Sequence, residues 1–132
     1  MKAVRVALAV GAAGALLATA FPADALTARV RCRVKAPRTQ ISVDGIDLAP
    51  GRYTATVNSS TDAAGPVTSK AAINVVAPAD EAEFDFYSNP ADIAAGATTL
   101  PPNFVTLPGN IAWRLLRNGA VVLSGIQACT SK

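Results

Sequence analysis

The sequence predicts an all-β protein: a small antiparallel β-sandwich of about seven short strands behind an N-terminal signal-peptide helix. Three observations predict it. Residues 27–35, TARVRCRVK, alternate apolar and polar positions without a break, the period of a half-buried strand. An Asn-Gly pair at 118–119 lies between β-rich flanks, the residue pair preferred in a two-residue type I′ hairpin turn. Turn residues punctuate the rest of the chain, and no long segment carries the 3.6-residue period of an amphipathic helix.

The first element is a leader. Lys2 and Arg5 precede an apolar run from Val6 to Ala20, followed by Pro22 and the small-residue pattern Ala23-Asp24-Ala25. This is the layout of a secretory signal peptide over residues 1–25, cut after Ala25 or, at a second candidate site, after Ala20. The run is shorter than the roughly 20 residues a spanning helix needs, so no membrane span is expected after its removal. Residues 26–132 then form a single β-sandwich domain, secreted or periplasmic through bacterial export. Losing Lys2, Arg5 and Asp24 lowers the formal charge from +3 to +2, too little to imply a nucleic-acid partner.

Within the mature chain, Ala28, Val30, Cys32 and Val34 make the buried face of the first strand, while Arg29, Arg31, Arg33 and Lys35 make a basic outer stripe. Ile41 and Val43 lead to a turn at Asp44-Gly45. Pro50-Gly51 follows, and then Tyr53, Ala55 and Val57 alternate with threonines as a further strand. Asn58 to Pro66 has loop composition. Strand character returns over Ser69 to Ala77 and again over Glu81 to Tyr87. In SNPADIAAGA, Asn89 as cap, Pro90 as first helical residue and Gly96 as terminator predict one short helical turn. The Pro-broken stretch beyond it is expected to hold a short edge strand near Phe104 and Val105. After the Asn118-Gly119 hairpin, residues 126–130 return Cys129 to Cys32. These are the only two cysteines of an exported chain, and they are expected to form one disulfide; free thiols or an intermolecular bond are the alternatives.

The segment LAPGRYTATV, Leu48 to Val57, resembles the Leu-x-Pro-Gly-x-Tyr-x-x-x-Val strand entry of exported bacterial immunoglobulin-like and fibronectin-III-like domains, and NGAVVLSG is similar to their closing hairpins. The resemblance implies an Ig-like sandwich with Tyr53 as a corner residue whose hydroxyl bonds the backbone. It covers the two hairpins, about a third of the chain. The chain departs from the antibody pattern in its terminal cysteines and in Trp113, sixteen residues before Cys129. Architecture is therefore all that the resemblance implies, and no activity.

The chemistry is bounded by what is missing. With no histidine, Ser-His-Asp and Cys-His catalysis and His-ligated metals are excluded. Ser69 and Lys70, as strand neighbours, point to opposite faces and are a poor dyad. The expectation is a non-enzymatic structural or protein-interaction module of the bacterial envelope or extracellular space, with a protein partner or self-association and no cofactor.

Two surfaces are candidates. In EAEFDFYSNPAD, Glu81, Glu83 and Asp85 project from one strand face at about 7 Å intervals, too far apart for all three to ligate one ion. The alternative function, calcium or glycan binding, would draw Asp85, Tyr87, Asn89 and Asp92 together, with Tyr87 as the exposed stacking aromatic. The stripe Arg29, Arg31, Arg33 and Lys35 reads either as guard charges on an edge strand or as a polyanion-binding line. A third reading pairs it with the acidic strand 81–87, side by side in one sheet or between subunits.

Overall fold

Residues 27–62 and 65–132 are described by a computed structural model, so the leader read in residues 1–25 lies outside the described residues. The chain runs β1 (Thr27–Lys35), β2 (Arg38–Leu48), β3 (Gly51–Ser59), β4 (Val67–Thr68), β5 (Ile73–Val75), β6 (Asp80–Tyr87), α1 (Pro90–Ala94), β7 (Thr98–Thr99), β8 (Asn110–Arg117), β9 (Ala120–Ala128) and β10 (Thr130–Ser131). A first sheet has the order β10-β1-β2-β6-β7. A second has β4-β3-β8-β9, with β5 also paired to β3.

The inward residues of both sheets form one core. Ile41 and Val43 of β2 and Phe84 and Phe86 of β6 share it with Tyr53, Ala55 and Val57 of β3 and Ile111 and Leu115 of β8. Alternation drives this layering: every second residue of a strand leaves water, and each buried large apolar side chain contributes roughly 1.5–3 kcal/mol. The all-β, two-sheet expectation holds.

Several details are corrected. The described residues form ten strands rather than about seven; six have eight residues or more, and β4, β5, β7 and β10 have two or three. The pairing is not wholly antiparallel, because β10 joins β1 and β7 joins β6 in parallel. Asp44-Gly45 is not a turn. β2 runs straight through it, and Gly45 pairs with Ala28 on one side and Ala82 on the other. A Cβ at Gly45 would sit 2.9 Å from Leu115 Cδ2, so glycine serves the close approach of the two sheets there. The irregularity comes later, as a register shift between Gly45 and Leu48 with Asp47 at φ 57°.

The strand expected over Ser69 to Ala77 shrinks to Ile73–Val75. Phe104 and Val105 form no strand; both are buried in irregular backbone, and the short strand lies earlier, at Thr98–Thr99. Pro101 and Pro102 bar regular pairing there, and Asn103 at φ 57° turns the two apolar side chains inward while its N–H donates to the Pro37 carbonyl at 2.8 Å.

The local signals fare better. Asn118 and Gly119 both have positive φ, as a type I′ turn requires, and join β8 to β9 with Arg117 opposite Ala120. Asn89 accepts from the Ala91 N–H, Pro90 begins α1, and Gly96 at φ 117° ends it. The Tyr53 hydroxyl donates to the Ala49 carbonyl at 2.7 Å, across the corner where the chain leaves the first sheet for the second. At the other end the chain crosses back. β9 ends in the second sheet, Cys129 bonds to Cys32 with Cα atoms 4.6 Å apart, and β10 lies beside β1 in the first.

Among the described residues, no helix is long and apolar enough to cross a membrane.

Candidate functional site

The outer face of the first sheet gathers most of the charge, in columns set by the strands. The stripe Arg29, Arg31, Arg33 and Lys35 is exposed along β1, with Cys32 and Val34 buried behind it. Glu81, Glu83 and Asp85 line the same face of β6, with Ala82, Phe84 and Phe86 behind them. The two columns are not neighbours, which corrects the side-by-side reading within one sheet. β2 lies between them and contributes Arg38, Gln40, Ser42 and Asp44.

The register builds rows across these columns. Arg29 lies opposite Asp44, and Asp44 opposite Glu83; Arg31, Ser42 and Asp85 form the next row, then Arg33, Gln40 and Tyr87, and last Lys35 beside Arg38. Two strand spacings, about 9.6 Å, separate the basic column from the acidic one, beyond direct pairing for most side chains. Among the described residues the one ion pair is Arg29 Nη2 to Glu81 Oε2, at 3.7 Å and well exposed at both ends. Such a pair contributes about 0–1 kcal/mol.

The carboxylates crowd one another instead. The Ser42 hydroxyl lies 3.1 Å from Asp85 Oδ1 and 3.4 Å from Asp44 Oδ1, bridging the two acids. Partial burial holds the Asp44 carboxyl above its ordinary value, and the Asp85 charge pushes the same way, against the Ser42 hydrogen bond and the charges of Arg29 and Arg31. Glu83 is also raised, chiefly by the negative charge of Asp85 and next by that of Asp44. The Tyr87 phenol is raised by burial first, then by Asp85 and Asp92.

Of the four residues of the expected ligand loop, three meet. Asp85, Tyr87 and Asp92 line a cleft of about 240 Å³ together with Glu83 and the Ala95–Ala97 turn. Asn89 does not join them; its side-chain oxygen is committed to the Ala91 N–H, and it borders a separate cleft with Arg33, Lys35, Arg38, Gln40 and Lys132. Asp92 accepts from Gln40 Nε2 at 3.5 Å, so part of its acceptor capacity is already in use. Among the described residues no group of three or more His, Cys, Asp or Glu side chains is placed to hold a metal ion.

For covalent chemistry the described residues offer no free cysteine. Ser69 is engaged by the Ala55 N–H at 3.1 Å, and the Lys70 backbone N–H by Thr98 Oγ1 at 3.0 Å, both holding the chain between β4 and β5 in place.

The sequence reading missed the middle column. The alternation of Gln40, Ser42 and Asp44 with Ile41 and Val43 is its signal, but the Asp44-Gly45 pair carries the composition of a turn and masks it. It also missed Arg38 and Lys132, whose positions beside Lys35 depend on the hairpin at Ala36-Pro37 and on the strand crossing at Cys129.

No protein-family model, curated protein or solved structure matches the chain, so the reading of this face rests on its own geometry.

Proposed function

We propose that the chain is a non-enzymatic, exported structural or protein-interaction module that holds a protein partner on the outer face of the first sheet, in the periplasm or outside the cell. One observation carries this reading: two columns of opposite charge share one face, and only Arg29 and Glu81 satisfy each other across it. A partner with the complementary pattern gains charge pairs that the isolated chain lacks, and like-charge mismatch rejects a partner in the wrong register. The leader pattern of residues 1–25 and the Cys32–Cys129 bridge agree with an oxidising, exported location.

The test is cross-linking in the native cell envelope, comparing wild type with Arg29→Glu/Arg31→Glu at low and high salt. A specific cross-linked protein that disappears both with the double reversal and at high salt supports the reading. A cross-linking pattern indifferent to both charge and salt sinks it. Calcium or glycan binding is a second reading, supported by the cleft that unites Asp85, Tyr87 and Asp92. A rise in melting temperature with calcium chloride that Asp92→Ala abolishes would favour it over the first.

A further inference from the structure

Charge on the first sheet's outer face changes along the strands. In the Arg29 row two carboxylates, Asp44 and Glu83, face the arginine, and in the Arg31 row Asp85 does. From Arg33 onward the rows contain no acid: Arg33 faces Gln40 and Tyr87, and Lys35 lies directly opposite Arg38 across the Ala36-Pro37 hairpin. Like charges directly opposite on an antiparallel pair destabilise it, so this end of the sheet carries repulsion that nothing in its rows relieves.

A fourth cation is brought in by the tertiary fold. The Lys132 backbone N–H donates to the Val34 carbonyl at 2.9 Å, and its ammonium donates to Gln40 Oε1. Gln40 is thereby spent at both ends, since its Nε2 donates to Asp92. Arg33, Lys35, Arg38 and Lys132, with Gln40 and Asn89, line a cleft of about 120 Å³, and none of these six side chains is a carboxylate. Asn89 has its oxygen turned to the Ala91 N–H, which leaves its amide NH₂ as a donor. The cleft is well below the roughly 300 Å³ of sites for small organic ligands, and its polar groups are nearly all donors.

We propose that this cleft is an oxyanion site, taking a phosphate or sulfate group either free or carried on a polymer. A guanidinium group offers paired donors that match two oxygens of a tetrahedral anion, and the two ammonium groups add positive charge at the same cleft. Binding removes the mutual repulsion of the four cations. The cleft shares Arg33 and Lys35 with the basic column, but it is probed with inorganic anions at Lys35 and Arg38 whereas partner binding is probed at Arg29 and Arg31, so it stands or falls without that reading.

The test titrates inorganic phosphate and linear polyphosphate into the oxidised protein at constant ionic strength, followed by backbone amide NMR shifts. Shifts are expected to centre on Arg33, Lys35, Arg38, Asn89 and Lys132. Lys35→Gln/Arg38→Gln is expected to weaken binding about ten-fold or more, as loss of charge-assisted hydrogen bonds does. The charge-matched Arg29→Gln/Arg31→Gln, which removes two positive charges from the rows that contain carboxylates, is expected to change it less than about two-fold. Tighter binding of polyphosphate per phosphate group assigns the site to a polymer, and equal binding per group to the free anion. Equal losses in the two double variants mean general attraction to a basic strand and overturn the site, as does a failure of both probes to bind.

Discussion

Thr39 shows at the residue scale how much of this protein is set by neighbours distant in sequence. Its backbone is satisfied by Ser88, whose hydroxyl accepts from the Thr39 N–H at 2.8 Å, yet its own Oγ1 is buried with no hydrogen-bond partner among the described residues. An unsatisfied buried hydroxyl costs about 1–3 kcal/mol, and valine keeps the shape and the β-branch. Thr39→Val is therefore expected to raise unfolding stability by about 1 kcal/mol in urea denaturation; a loss of stability would mean the hydroxyl has a partner. The crowded carboxylates make a second prediction at this scale. Asp44 and Glu83 titrate above their ordinary values of 3.8 and 4.5, so between those values and the raised ones the folded chain binds more protons than the unfolded chain. Their contribution to stability therefore increases as the pH falls through that window and levels off below it. Glu83→Gln mimics the protonated form. It is expected to melt above wild type at pH 7, with the gap closing as the pH approaches 4.5. A gap that persists at acid pH would show that repulsion from Asp85 and Asp44 is not its source.

Edge protection separates the strands at the element scale. The outer edge of β1 is covered by β10 only at Arg33 and Val34, and that of β6 by β7 only at Phe86 and Tyr87. The open lengths of both strands carry a like charge at every second residue, which resists pairing with another copy. β9 closes the second sheet as a nine-residue strand with no charged residue, and it leaves Val121 and Ile126 exposed. This is the edge through which two copies are expected to pair at high concentration, so Val121→Lys/Ile126→Lys should raise the concentration at which light scattering detects oligomers. Association as ready as in wild type would exclude this edge as the route. The long strands and the Asn118-Gly119 turn were legible because a half-buried strand and a type I′ turn each carry a local signature. The short strands β4, β5, β7 and β10 carry none; each forms where an existing edge offers two or three hydrogen-bonding positions. Gly45 misled for a related reason, since a glycine between closely packed sheets and a glycine in a turn read alike in sequence.

At the scale of the whole molecule, the disulfide links the first strand of one sheet to the end of the last long strand of the other. The two cysteines are 97 residues apart, and closing so long a loop contributes about 4–5 kcal/mol on the chain-entropy account. That is comparable to the entire net stability of many small domains. Cys32→Ser/Cys129→Ser is accordingly expected to lose most of the stability measured by urea unfolding, whereas a loss below about 1 kcal/mol would mean the two sheets hold together without the bridge. By itself the sequence determined the two-faced strands, the hairpin turn and the capped helical turn at Asn89, and it made Cys32–Cys129 the expected pairing. Each follows from local period, local backbone preference or a count of thiols. Only the tertiary structure decided that β2 separates the basic and acidic columns, that Asp44 joins the acids, and that Arg38 and Lys132 meet Arg33 and Lys35 around one cleft. Strand order and sheet crossing fix those neighbours, and they depend on packing between residues far apart in the chain, which no local pattern encodes.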